Sequence, residues 1–223
     1  MNESQAALMR ELAQYPSGYL TDAFSRLGLS GWTDGLLPLR ACGTNRLAGP
    51  AVTVRYGPKR GSGATTPHSL YSIIAEAPSG SVLVVEAATD GWILGENVLN
   101  WAIRHGFVGV LVDGRVRDAA EIATMDIHCF CRGAAIGPHG THLELADTGV
   151  AVTCAGAQVR PGDYVFGDDD GAIVVPADRL ADVAYEAVEL AELELEQERV
   201  IKDGRSLTDL NAVLAAKKRR RAR

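Results

Sequence analysis

The residues best suited to chemistry stand in two short stretches, Gly95-Glu96-Asn97-Val98 and Asp113-Gly114-Arg115-Val116-Arg117-Asp118. The first opens a run with helical spacing (Val98, Leu99, Ala102, Ile103), and the second follows the apolar run 108–112. A helix N-terminus offers unpaired backbone N–H groups and a partial positive charge, which suit a carboxylate or an enolate oxygen. Arg117 is placed to grip the same anion with its planar fork. Asp118 is placed to hold a hard divalent cation beside it. On spacing alone a plainer account stands equally well: Asp118 as a helix cap, Arg117 as a surface charge, and Asp113-Gly114 as a turn.

Other candidate chemistries find less support. Gly61-Ser62-Gly63-Ala64-Thr65-Thr66 imitates a dinucleotide fingerprint between a strand and a helix, but Gly57 to Arg60 intervene where an immediate turn is needed, and Thr66 replaces the third glycine. The four cysteines (Cys42, Cys129, Cys131, Cys154) include no C-x-x-C pair and read as reduced, buried thiols. Cys129 and Cys131 alternate along a strand and share a face, with no further ligands nearby for a metal. His139-Gly140-Thr141-His142 reads as a polar loop. No nucleophile elbow is present, and Lys59 and Lys202, the lysines outside the tail, fall on no strand, which favours metal-assisted over imine chemistry.

The elements that must position these residues alternate between helix and strand, the mark of an α/β protein. Helices are expected at 5–14 and at 17–28, the second capped by Ser17 and stopped by Gly28. A strand at 51–55, a helix at 67–77 and a strand at 81–86 follow. A helix at 95–105 ended by Gly106, a strand at 108–112 and a short helix at 118–125 come next. Short β segments are expected at 127–131, 150–154, 164–166 and 172–175. A long helix from about Ala177 to Asp203 closes the pattern. Along it Leu180, Val183, Ala187 and Leu190 form a stripe that continues onto Glu194 and Ile201. A carboxylate in an apolar seam must escape to water or face a cation or ordered water, and Glu192 and Glu196 compete with Glu194 for that place.

The chain has 223 residues, 47% hydrophobic and 22% charged, enough for a real core and against wholesale disorder. No apolar run approaches the ~18 residues of a membrane span, and the first residues lack a signal-peptide pattern, so a cytoplasmic protein without a membrane partner is expected. Formal net charge is −6; six basic residues lie in the last seven, leaving −12 on the rest. An acidic body repels a phosphate backbone, so the basic tail reads as solvated and nucleic acid is not an expected partner.

Taken together, Gly95-Glu96, Ala102, Gly106, Gly109-Val110, Asp113-Gly114 and Arg117-Asp118 resemble the signature of the class II pyruvate aldolases of the 4-hydroxy-4-methyl-2-oxoglutarate aldolase and oxaloacetate decarboxylase type. That family also holds proteins like the regulator of ribonuclease activity A. The likeness extends to Thr21-Asp22-Ala23, Gly49 to Thr53, His68, Arg160 to Asp163, Gly167 to Gly171 and Val174 to Pro176. It implies one β/β/α sandwich domain of the swivelling type over residues 1–205, including a long C-terminal helix, followed by an extension at 206–223. It further implies a homotrimer or homohexamer with active sites between subunits.

By the same resemblance Asp118 ligates Mg2+ or Mn2+, Arg117 and Gly95 hold the pyruvate moiety, and the amides of Asn97 and Val98 receive its carboxylate. Glu96, and Glu194 from a neighbouring subunit, order the water around the metal. The expected activity is a carbon–carbon lyase acting on a small 2-oxo acid, by retro-aldol cleavage or decarboxylation, with release of pyruvate. The alternative is a non-catalytic regulator of the same fold that binds a ribonuclease or another protein. The segment Gly63-Ala64-Thr65 departs from the Gly-Asp-Asn common at that place, which bears on the outer substrate contacts.

Overall fold

The computed structural model describes residues 3–43, 46–59, 68–87, 89, 91–137 and 142–220; the glycine-rich segment 61–66 and His139 lie outside them. The chain runs α1 (Glu3–Leu12), α2 (Ser17–Leu27), β1 (Leu37–Pro38), β2 (Leu47–Pro58), α3 (Leu70–Glu76), β3 (Val82–Glu86), β4 (Trp92–Leu94) and α4 (Glu96–Arg104). It continues through β5 (Gly109–Asp113), β6 (Arg115–Val116), α5 (Ala119–Ile122), β7 (His128–Cys131), β8 (Leu143–Thr148), β9 (Val152–Cys154) and β10 (Ala157–Val159). Last come β11 (Tyr164–Asp168), β12 (Gly171–Val175), a 3-10 turn at Ala177–Arg179, α6 (Leu180–Lys202) and α7 (Leu207–Lys217). The described residues divide into two compact units, a sheet unit at 31–177 and a helical unit at 3–30 and 178–220.

The sheet unit is built on an eight-stranded sheet in the order β1-β7-β5-β3-β2-β11-β12, with β8 also paired to β2. Strands β2, β3, β5 and β7 are parallel, and β1, β8, β11 and β12 run antiparallel to their neighbours. Strands buried on both faces need continuous apolar runs, and Val82-Leu83-Val84-Val85 supplies one that is wholly buried. Its residues alternate between two cores. Leu83 and Val85 join Val110, Val112, Cys129, Cys131 and the buried faces of α3, α4 and α5. Val82 and Val84 join Leu111, Phe130, the β9–β10 hairpin and Val165 and Val174 of β11 and β12. The layering is therefore helix on sheet on β structure. Each fully buried Val or Leu contributes roughly 1.5–3 kcal/mol, so both faces of this sheet are strongly specified.

In the helical unit α6 packs against α1, α2 and α7. Leu180, Val183, Ala187 and Leu190 are buried as expected. The stripe then turns: Val200 is buried and Ile201 is exposed, because 23 residues at 3.6 per turn drift off a strict heptad. Ser17 is the first helical residue of α2 and not its cap, a place taken by Pro16, whereas Gly28 stops the helix with φ 63°. The helix expected at 118–125 is one turn, Ala119–Ile122. The extension at 206–223 begins as a helix: Ser206 and Asp209 form a capping box that starts α7, whose last residue, Lys217, is the first of the basic tail. Among the described residues no helix is long and apolar enough to cross a membrane.

Candidate active site

A small parallel ladder between β4 and β6 assembles the site, setting Trp92 opposite Arg115 and Leu94 opposite Val116. The Arg117 amide donates to Leu94 O at 3.1 Å. This stitch lays Arg117-Asp118 against Gly95, the N-cap of α4. Gly95 is extended (φ −141°, ψ −170°), a conformation open to any residue. Space is what glycine provides there, since a Cβ would run into Asp118 Oδ2 and lie 3.0 Å from Arg117 Nε, so any side chain at 95 displaces those two groups.

Asp118 occupies the left-handed region (φ 58°, ψ 38°) at the N-cap of α5, without a side-chain cap bond to that helix. Its backbone carbonyl accepts from the Ile122 amide at 2.9 Å, which begins the turn. Its carboxylate points elsewhere: Oδ2 accepts from the Glu96 amide at 3.3 Å and lies 3.3 Å from Arg117 Nε. The cap reading of Asp118 thus holds for its backbone alone. At the start of α4 the Val98 amide is taken up by Gly95 O at 3.2 Å. Asn97 keeps the first-turn amide without a partner among the described residues, so of the two amides expected to meet a carboxylate this one is available.

Arg117 lies with Cζ 4.2 Å over the centre of the Trp92 ring. A guanidinium stacked by its face keeps its in-plane donors at the edge, and among the described residues no acceptor takes up its Nη groups. Trp92, Arg117, Asp118, Ala134, Ala135 and Ile136 line an open cavity of about 570 Å³. The 134–137 wall is held by backbone bonds, Ala135 N–H to Val116 O at 2.9 Å and Trp92 N–H to Gly137 O at 3.0 Å. Glu96 stands half-buried in the first turn of α4.

Gly95, Glu96, Asn97, Val98, Arg117 and Asp118 therefore come together. Glu194 lies in the helical unit, where it pairs with Lys217 of α7. The buried acid of α6 is Glu186, 2% exposed and bonded to Arg26 at 2.9 Å, a residue the stripe argument passed over. Trp92 and the 134–136 wall also escaped the sequence reading. Trp92 is 25 residues from Arg117 and carries no local motif that announces the stack.

Among the described residues no three His, Cys, Asp or Glu side chains gather into a cage. Asp118 offers one hard carboxylate in an open cavity, and its Oδ1 accepts no hydrogen bond from a described residue. That donor set fits Mg2+ or Mn2+, which retain water and bind through one or two carboxylates plus substrate oxygens, and does not fit a closed zinc site. The four cysteines are free and buried. Burial, with Asp169 nearby, pushes the Cys42 thiol up to about 11, which makes it a poor nucleophile.

The family profile of RraA-like proteins, described as Aldolase/RraA, matches residues 18–174. A protein of Halalkalibacterium halodurans named "Putative 4-hydroxy-4-methyl-2-oxoglutarate aldolase" is 29% identical over 205 residues, covering 91% of this chain and 92% of that one. Protein DlpA of Legionella pneumophila is 28% identical over 202 residues, which are 89% of this chain; the match spans 32%, about a third, of DlpA. Among solved structures, Streptomyces coelicolor RraAS2, described as an unusual member of the RNase ES inhibitor RraA protein family, superposes with a TM-score of 0.74 at 30% identity. That match covers 84% of this chain and 93% of RraAS2. A site built on Arg117-Asp118 and a profile match over most of the sheet unit meet in one conclusion: the chain belongs to the RraA-like family.

Proposed function

We propose that the protein is a divalent-metal-dependent lyase that cleaves the C–C bond next to a 2-oxo acid and releases pyruvate. Its substrate is a 4-hydroxy-2-oxo acid, cleaved by retro-aldol reaction, or an oxaloacetate-like acid, decarboxylated. The observation that carries the reading is the side-by-side placement of the Arg117 fork and the Asp118 carboxylate at the N-terminus of α4. A non-catalytic regulator has no need of a cation-binding carboxylate beside an anion clamp in one cavity.

Asp118 would hold the cation, which supplies Lewis-acid stabilisation to the keto oxygen of the 2-oxo acid. The Nη edge of Arg117 and the Asn97 amide would receive the carboxylate, fixing the scissile bond in place. On cleavage the electron pair of the C–C bond passes into the enolate of pyruvate. Arg117 and the N-terminus of α4 place positive potential where that charge develops, without reorganising. The Glu96 carboxylate would orient a water that takes the 4-hydroxyl proton and returns one to the methyl carbon. The working form is proposed to be a homo-oligomer, a trimer or hexamer, in which Glu194 of one subunit serves the site of another.

The aldolase name of the Halalkalibacterium halodurans relative supports the lyase reading, and the RNase-inhibitor description of RraAS2 supports the regulator as the competing one. The deciding experiment is pyruvate release from a panel of 4-hydroxy-2-oxo acids and oxaloacetate, with Mg2+, with Mn2+ and with chelator. Release that requires the cation is expected. No release from any of them, or full release after exhaustive chelation, defeats the proposal.

A further inference from the structure

We infer that Trp92 is the positioning residue that sets the aim of Arg117, an inference that rests on reading Arg117 as the carboxylate clamp. Arg117 is about half exposed, its side chain 47% accessible. A long side chain in that position loses substantial rotamer freedom when a ligand fixes it. Three features of the site reduce that loss before any ligand arrives. Arg117 Cζ lies 4.2 Å over the centre of the Trp92 ring. The Asp118 carboxylate takes the Nε side at 3.3 Å. The bare Cα of Gly95 leaves room for both, at a point where a methyl group would meet Arg117 Cγ at 2.9 Å.

Of the three, only the stack fixes the plane of the fork. A single contact at Nε leaves the rigid guanidinium plane free to tilt about the Nε···Oδ2 line, and glycine merely makes space. With the ring beneath Cζ, the guanidinium is held at the wall of the cavity that Trp92 and Arg117 both line. Trp92 is itself anchored through its amide to Gly137 O at 3.0 Å and through the β4–β6 ladder. The aim of the fork is thus tied to the backbone and not to a mobile surface. A leucine at 92 would preserve an apolar wall while removing the quadrupole that attracts the cation; a tyrosine would preserve the face.

The test compares Trp92→Leu and Trp92→Tyr with the parent protein. Crystal structures of the ligand-free variants should show the Arg117 guanidinium displaced in Trp92→Leu and in place in Trp92→Tyr. Calorimetric titration with pyruvate in the presence of Mg2+ should show Trp92→Leu binding about two- to fivefold more weakly, Trp92→Tyr within a factor of two of the parent, and all three melting alike. An unmoved Arg117 in Trp92→Leu, or unchanged pyruvate affinity in that variant, overturns the inference. Arg117→Ala separates the two levels of the argument. If it binds pyruvate as tightly as the parent, the clamp reading falls, and the crystal structures still decide whether Trp92 aims the side chain.

Discussion

Arg117, Asp118 and Gly95 each make a different demand on the same few cubic ångströms. Arg117→Lys keeps the charge and loses the paired in-plane donors, so kcat/KM on the cleaved 2-oxo acid is expected to fall roughly 10- to 100-fold, in line with the ~1.5–3 kcal/mol of charge-assisted hydrogen bonding at stake. Near-normal turnover in that variant would return Arg117 to a surface charge. For Asp118 the backbone decides the substitution. At φ 58° an alanine costs on the order of 1–2 kcal/mol of left-handed strain, whereas asparagine tolerates that region. Asp118→Asn should therefore melt close to the parent and lose cation-dependent activity and Mg2+ binding together, and retained Mg2+ affinity would show the carboxylate is not the ligand. Gly95→Ala meets Asp118 Oδ2 with no backbone strain to confuse the result; kcat/KM should fall at least tenfold with a nearly unchanged melting temperature. The order Gly95-Glu96 and Arg117-Asp118 was legible in the sequence because one helix start and one strand end carry it. The Trp92 stack was not, since cation–π pairs across a tertiary gap have no periodicity to betray them.

Helices buried on one side and strands buried on both were legible to within a few residues, as α4 and β3 show, because burial imposes the spacing of the first and the unbroken apolar run of the second. Elements of two or three residues, such as β4 and β6, carry too few side chains to show a period, although β4–β6 builds the site. Helix α7 had a signal that went unused, the Ser206-x-x-Asp209 box ahead of an apolar run. Its role is electrostatic as much as apolar. Arg26, 1% exposed at its side chain, bonds Glu186 at 2.9 Å and Glu189 at 2.6 Å and donates to the carbonyls of Lys217 at 2.8 Å and Ala216 at 3.0 Å, so one guanidinium closes the end of α7. Removing one partner of a buried pair costs about 3–5 kcal/mol. Since Glu189 remains, Glu186→Ala should sit at the lower end, a fall of roughly 6–12 °C for a chain of this size. Thermal denaturation checks this, and a shift under about 2 °C would show that Glu189 and the carbonyls hold Arg26 alone.

At the scale of the whole molecule the layering of helices, sheet and hairpin follows from apolar runs that the sequence displays openly, whereas the partners of α6 do not, because the acids of that helix look alike in sequence. Glu186, Glu189 and Glu194 are separated by what meets them: Arg26 for the first two and Lys217 for the third. An acid in an apolar seam needs a cation or ordered water, and Lys217 answers that need for Glu194 within one chain. Two roles then remain for Glu194, and they predict different things. If it serves only the ion pair, Lys217→Met should reproduce every effect of Glu194→Ala. If it also serves a neighbour's site, as we propose, Glu194→Ala should lose activity while Lys217→Met retains it, with the two variants similar in melting temperature. Mixing Asp118→Asn with Glu194→Ala should then regenerate intact sites once subunits exchange, because each chain supplies what the other lacks. Recovery of part of the parent activity is the expected outcome, scaling with the fraction of mixed assemblies measured by mass spectrometry. A mixture that stays inactive after exchange is demonstrated, or a parent protein that sediments as a monomer at assay concentration, would confine Glu194 to holding α7.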